Sequence, residues 1–150
     1  MYFDDIPLHM TVDIGPVPIE KEKMMAFARE YDPIPLHTDE EYAKTTPFHG
    51  LIAPGVMSFM SVWAKYLEQD IAGKEVLAGK STKIEWLKPV YAGDVLTATA
   101  EVTALTRRSE KNGVMELTLV VRNQHGVPVL TNVTEAVVKC RPQSVPESAK

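Results

Sequence analysis

The sequence holds one cysteine, Cys140, in 150 residues. No disulfide can close within the chain, and a reducing, cytoplasmic setting is the expectation. Cys140 sits in the β-like run EAVVKC and reads as packing rather than as a nucleophile. An excess of cations is also missing, since 16 Lys and Arg face 20 Asp and Glu for a net charge of −4. Proteins that bind nucleic acid carry a basic face or stripe, and the short mixed-sign run TRRSEK is not one, so no nucleic-acid partner is expected. No apolar run approaches the roughly 20 residues of a membrane helix. The first ten residues, MYFDDIPLHM, are acidic and lack the apolar region of a secretory signal, so no membrane partner is expected either. The four histidines are scattered without ligand spacing, and no metal site is expected. Repeats, low-complexity tracts and internal linkers are absent as well.

What remains is the composition of one globular domain over residues 1–150, 45% apolar and 24% charged. Its first half reads as helices and loops. Met24, Phe27, Ala28 and Tyr31 recur at i, i+3, i+4 and i+7, one apolar helical stripe. Pro18 lies near its first turn, and Pro33 disfavours helix at Asp32, so the helix should end there. TDEE reads as a capping box, with Thr38 as N-cap and Glu41 three residues on, opening a short helix through Tyr42 and Ala43. TTPFHG breaks it. From Val56 to Leu67 apolar residues fall on nearly every side, which predicts a helix surrounded by protein.

The second half supplies the surroundings. VLAGKSTKIEWL, DVLTATAEVTALTRR, VMELTLVVRNQ and VPVLTNVTEAVVKC are four long β-like runs, joined at YAGD, KNG and QHG. Leu96, Ala98, Ala100, Val102 and Ala104 share one face, opposite Thr97, Thr99, Glu101 and Thr103. A further strand near IPLHMTVD makes about five, all antiparallel. The class is α+β, a long curved antiparallel sheet wrapped around a central buried helix, which is the hotdog arrangement. The tail RPQSVPESAK is polar and proline-bearing and is expected to be loosely ordered.

YDPIPLHTDEE carries the chemistry-bearing residues. Asp32 and His37 stand five positions apart with Pro33 and Pro35 between them. On residue types alone they are either a turn-forming polar pair or an acid–base pair preorganised by prolines, which reduce the entropy lost in holding both side chains ready. Gly55, at the start of the central helix, is either a plain helix N-cap or an exposed amide aimed at developing negative charge. His49 lines a pocket or is an exposed loop residue; His9 and His125 read as surface or turn residues.

The stretches YDPIPLHTDEEYAKTTPF, HGLIAPGVMS and WLKPVYAGDVLTATAEV together resemble the MaoC-like branch of the hotdog superfamily, which contains the (R)-specific enoyl-CoA hydratases. The resemblance covers roughly residues 10 to 140, and its most specific part is D-x-x-P-x-H, here Asp32 to His37. It implies an acyl-CoA hydratase or dehydratase with Asp32 as base, His37 as its partner on the attacking water, and the Gly55 amide in the oxyanion hole. It implies a CoA thioester as substrate and no separate cofactor. Two positions depart from the hydratases: Ile34 stands at their usual asparagine and Pro54 at their usual histidine. Ile34, His49, Pro54 and Ser58 are the further substrate-binding candidates, Ser58 and Ser61 being nearest to a serine that assists in some relatives. The alternatives are a hotdog thioesterase, whose acid usually lies on the central helix where this chain has only Glu68 and Asp70, and a non-catalytic acyl-CoA-binding or assembly subunit. Lys80, Lys83, Lys88, Arg107 and Arg108 are the candidate phosphate contacts. A single hotdog chain leaves a sheet edge and a half-built cleft, so a homodimer or higher homo-oligomer is expected.

Overall fold

Thr11–Pro18 (β1), Val76–Trp86 (β2), Val95–Arg107 (β3), Asn112–Arg122 (β4) and Pro128–Lys139 (β5) form one antiparallel sheet in the order β1-β3-β4-β5-β2. The structure, a computed structural model, describes residues 1–144. The alternation in β3 fixes its register: Leu96, Ala98, Ala100 and Val102 are buried while Thr97 and Thr99 face out, because a slip of one residue would turn the apolar set to water. Leu117, Leu119 and Val121 of β4, with Val129 and Leu130 of β5, continue that inner layer at no more than 1% exposure. Each such side chain contributes about 1.5–3 kcal/mol relative to its exposed state.

The first helix, α1, runs Lys21–Tyr31. It starts later than expected, because Pro18 ends β1 instead of opening the helix. Met24 and Ala28 are buried, but Tyr31 is 68% exposed and rests its ring on Phe27, with centroids 5.1 Å apart. Pro35–Thr38 is a single helical turn, α2, and Glu40–Lys44 is α3. The cap differs from the expected box: Asp39, not Thr38, is the N-cap, its carboxylate accepting from the Tyr42 amide at 3.0 Å. Thr38 instead closes α2 and donates its hydroxyl back to the Ile34 carbonyl at 3.1 Å.

The central helix, α4, is Gly55–Leu67. Met57, Phe59, Val62 and Tyr66 are buried with the sheet's inner face. Burial pushes the Tyr66 phenol up to about 12. The helix is not enclosed on every side, however. Val56, Met60 and Leu67 are 43–47% exposed, forming with the partly buried Trp63 an outward apolar stripe. The physical reason is size: one sheet of five strands covers one side of a helix. Strand β2 lies at the sheet's end, bonded only to β5, and is exposed along nearly its whole length.

The N-terminal segment and the residues just after β5 are tied to one another. The Arg141 amide donates to Asp4 Oδ2 at 2.8 Å, and its guanidinium pairs with Asp5. The start of the tail is therefore anchored, contrary to the expectation of loose order, while residues 145–150 lie outside the described residues. Cys140 is buried, with the Arg107 guanidinium 3.2 Å from its sulfur.

Candidate active site

Asp32 caps the C-terminus of α1, its amide donating to Ala28 O at 2.8 Å. Across Pro33 the Ile34 amide donates to Asp32 O at 2.8 Å, and the His37 amide then reaches Ile34 O at 3.0 Å. Pro35 opens α2 at a position where a missing N–H costs nothing and the ring's fixed φ suits the helix. Two prolines thus convert the end of one helix into the start of another, and the two candidate side chains point to the same side.

His37 is 7% exposed, and its Nδ1 donates to the Ile52 carbonyl at 2.7 Å. A carbonyl can only accept, so Nδ1 carries the hydrogen, and a neutral His37 presents a lone pair at Nε2. That atom faces Asp32 Oδ2 at 3.3 Å. Two acceptors side by side can take the two hydrogens of one water, which leaves the water's oxygen lone pairs directed away from both.

The carbonyl of Ile52 is itself positioned by the segment that precedes β3. Ile52 bridges to Tyr91, and the Ala53 amide donates to Val90 O at 2.7 Å. Tyr91 Oη donates to Phe48 O at 3.0 Å, and the Tyr91 amide donates to Asp94 Oδ2 at 2.9 Å. Gly93, at φ +88°, makes the turn that a residue with a Cβ would resist.

Asp32, His37, Gly55 and Ser58 line one cleft of about 450 Å³ with Phe48, Ile52, Val56, Trp86, Leu87, Lys88 and Val90. Gly55 is the first residue of α4, so its amide has no acceptor within the helix. Ser58, one turn on, is 1% exposed, and no group among the described residues meets its hydroxyl.

Three candidates lie outside the cleft lining. Ile34, extended between its prolines at φ −87° and ψ 146°, turns its side chain to solvent at 46% exposure; its contribution is the carbonyl that His37 and Thr38 share. His49 is exposed at φ 58° in the turn before the cleft. Pro54 is buried as the N-cap of α4, its carbonyl accepting from the Ser58 amide at 3.2 Å. Among the described residues, no group of three or more His, Cys, Asp and Glu is placed to hold a metal ion, and no helix is long and apolar enough to cross a membrane.

Trp86 was not foreseen. A Cβ built on Gly55 would lie 2.1 Å from Trp86 Nε1 and 2.3 Å from Cε2, so the indole edge occupies the space that glycine leaves open. Its signal in the sequence was an aromatic residue closing the strand just before LKPV, indistinguishable there from ordinary sheet packing.

The profile of the MaoC like domain matches residues 6–124. An (R)-specific enoyl-CoA hydratase of Aeromonas caviae is 37% identical over 106 residues, covering 70% of this chain and 73% of that one. The solved structure of an A. caviae (R)-hydratase superposes with a TM-score of 0.73 over 91% of this chain and 98% of that one, at 31% identity. The uncharacterized protein YdeM of Bacillus subtilis is 27% identical over 140 residues, 93% of this chain and 99% of that one. A solved Archaeoglobus protein described as a monoamine oxidase regulatory protein superposes with a TM-score of 0.86 over 95% of this chain and 96% of the other, at 32% identity. With a five-stranded sheet, a central helix and a profile match over most of its length, this chain belongs to the MaoC-like domain family.

Proposed function

We propose that the chain is a single hotdog domain acting as an acyl-CoA hydratase or dehydratase, which adds water across the 2,3-double bond of an enoyl thioester or removes it. The observation that carries the reading is the Asp32–His37 pair, with Nε2 held free toward Asp32 by the bond from Nδ1 to Ile52. In hydration, the water oxygen bonds to Cβ as Asp32 takes one of its hydrogens, with His37 orienting the other. The alkene pair moves toward the thioester oxygen, which bears the charge opposite the Gly55 amide. A proton passed from the pair to Cα completes addition of H and OH from one water. Positioned acid–base groups typically contribute 10²–10⁴-fold, and an oxyanion donor roughly 2.7–4 kcal/mol. The CoA thioester is the substrate, and this balance calls for no cofactor.

The thioesterase alternative needs an acid near the carbonyl. Among the described residues Asp32 is the one acid in the cleft lining, since Glu68 and Asp70 lie at the far end of α4 from Gly55. The binding-subunit alternative is favoured by one observation, the Trp86 indole lying over Gly55; catalysis requires that ring, 54% exposed, to swing from the glycine. A homodimer is part of the proposal: the stripe of Val56, Met60 and Leu67 and the open β2 edge are surfaces that a second copy would cover. So is a reducing cytoplasmic setting, with which the buried free Cys140 is consistent.

The test follows two signals on crotonyl-CoA and on longer and branched enoyl-CoAs. Loss of enone absorbance without thiol release is expected. Thiol release would make the chain a thioesterase, and silence across the panel would favour a binding subunit.

A further inference from the structure

The cleft holds the reacting carbons; the other end of a thioester must lie elsewhere. Of the five cations considered for it, the structure neutralises three. Lys80 pairs with Glu135 at 3.0 Å, Lys83 with Glu85 at 3.2 Å, and Arg107 with Asp4. Arg108 follows Arg107 at the far end of β3, a strand of 13 residues, from the cleft. Lys88 is left. Among the described residues no carboxylate pairs with its ammonium, while its amide is fixed to Val129 O at 3.2 Å.

Lys88 also stands at a junction. It and Pro89 line both the catalytic cleft and a second groove of about 320 Å³ that runs to the β4–β5 turn at Asn123, Gln124 and His125. The lining changes along this path from Val56, Leu87 and Trp86 to polar side chains. Asp94, the one acid among the described residues of the groove, is already engaged: Oδ1 accepts from Gln124 at 2.9 Å and Oδ2 from the Tyr91 amide at 2.9 Å. An apolar, acid-bearing cleft therefore opens onto a polar groove whose uncommitted charge is positive.

We propose that Lys88, with His125 beyond it, binds the phosphate of the thioester's handle, the acyl chain lying in the cleft and the pantetheine arm crossing Pro89. This rests on the thioester reading of the cleft. A phosphorylated pantetheine is common to free CoA and to an acyl carrier, and an ammonium on a long stem suits a phosphate as a point charge.

Saturated thioesters test this without turnover, because they have no double bond to hydrate. Equilibrium binding of butyryl-CoA, S-butyryl-4′-phosphopantetheine and S-butyryl-pantetheine would be compared for the wild-type chain, Lys88→Glu, Lys88→Arg and His125→Ala. The wild-type chain should bind a phosphorylated ligand at least ten-fold more tightly than the phosphate-free one, with the preference weakening as salt rises. Lys88→Glu should erase the preference, Lys88→Arg should keep it, and His125→Ala should reduce it. A preference shared by both phosphorylated ligands places the pantetheine phosphate at Lys88, and a preference for butyryl-CoA alone places the nucleotide phosphates there. Equal wild-type affinity for all three, or equal weakening of all three by Lys88→Glu, overturns the inference. Hydration that proceeds with no Lys88-dependent preference sinks this inference alone; a preference without hydration sinks the hydratase reading alone.

Discussion

Replacing Ser58 by alanine should make the protein more stable and less active. The hydroxyl is 1% exposed and meets no partner among the described residues. A buried polar group left unpaired costs about 1–3 kcal/mol, and alanine removes it while keeping the Cβ that fills the helix face. We expect a gain of about 1 kcal/mol, which for a chain of this size is a rise of about 2–4 °C in Tm. Nearly all large-to-small substitutions in the core go the other way: Leu119→Ala, at a site with 0% exposure, should cost about 2–5 kcal/mol. The activity moves oppositely if the hydroxyl is left unpaired to meet a ligand in the cleft it lines. Loss of one neutral hydrogen bond, about 0.5–1.5 kcal/mol, corresponds to a fall in kcat of roughly two- to thirteen-fold. Chemical denaturation and steady-state kinetics on the same preparation read both quantities. A loss of 1 kcal/mol or more in the variant would show that Ser58 has a structural partner and would refute the argument.

Other outcomes follow from the same geometry. Gly55→Ala must displace the Trp86 indole, 2.1 Å from the new Cβ, so tryptophan emission should shift and activity should fall more than ten-fold; an unchanged spectrum would mean that the ring is not seated there. For the proposed homodimer, Met60→Glu, on the outward stripe of α4 at 46% exposure, should lower the sedimenting mass to that of a single chain while leaving the far-ultraviolet spectrum intact; an unchanged mass would contradict that interface. Tyr66 is raised by burial from 10.0 to about 12. Between those pH values the unfolded chain has released that proton and the native chain has not, so stability should fall as pH rises through the window. A spectrophotometric titration in which every tyrosine ionises near pH 10 would contradict this.

The fold was legible because its signals are periodic. Alternation in β3 and the turn chemistry at YAGD and KNG fixed strands and joints, and the apolar run from Val56 fixed the central helix. Boundaries were less legible where two local choices compete, as at Thr38 and Asp39, either of which can cap a helix; the carboxylate took the cap and the hydroxyl bonded backward. The outward stripe of α4 was misread because one chain's sequence does not say whether an apolar face is covered by itself or by another copy. At the site, Asp32, His37 and Gly55 came from motif positions and Ser58 from its nearness to the place of a serine in some relatives, and the four line one cleft. Ile34, His49 and Pro54 were carried by the same motifs, but their backbone geometry turns them from it. The Trp86 aromatic read only as sheet packing, because a contact across 31 residues has no signature of its own, and the Ile52 carbonyl, a backbone acceptor, left no residue-type mark.

The most direct test of the central claim is the Asp32→Asn variant on whichever enoyl-CoA the wild-type chain hydrates. The substitution keeps the side chain's shape and its place beside His37 Nε2 but removes the base. The account predicts a fall in kcat of about 10²–10⁴-fold, with thermal stability and binding of a saturated acyl-CoA close to wild type. Hydration at the wild-type rate by the folded variant would contradict it.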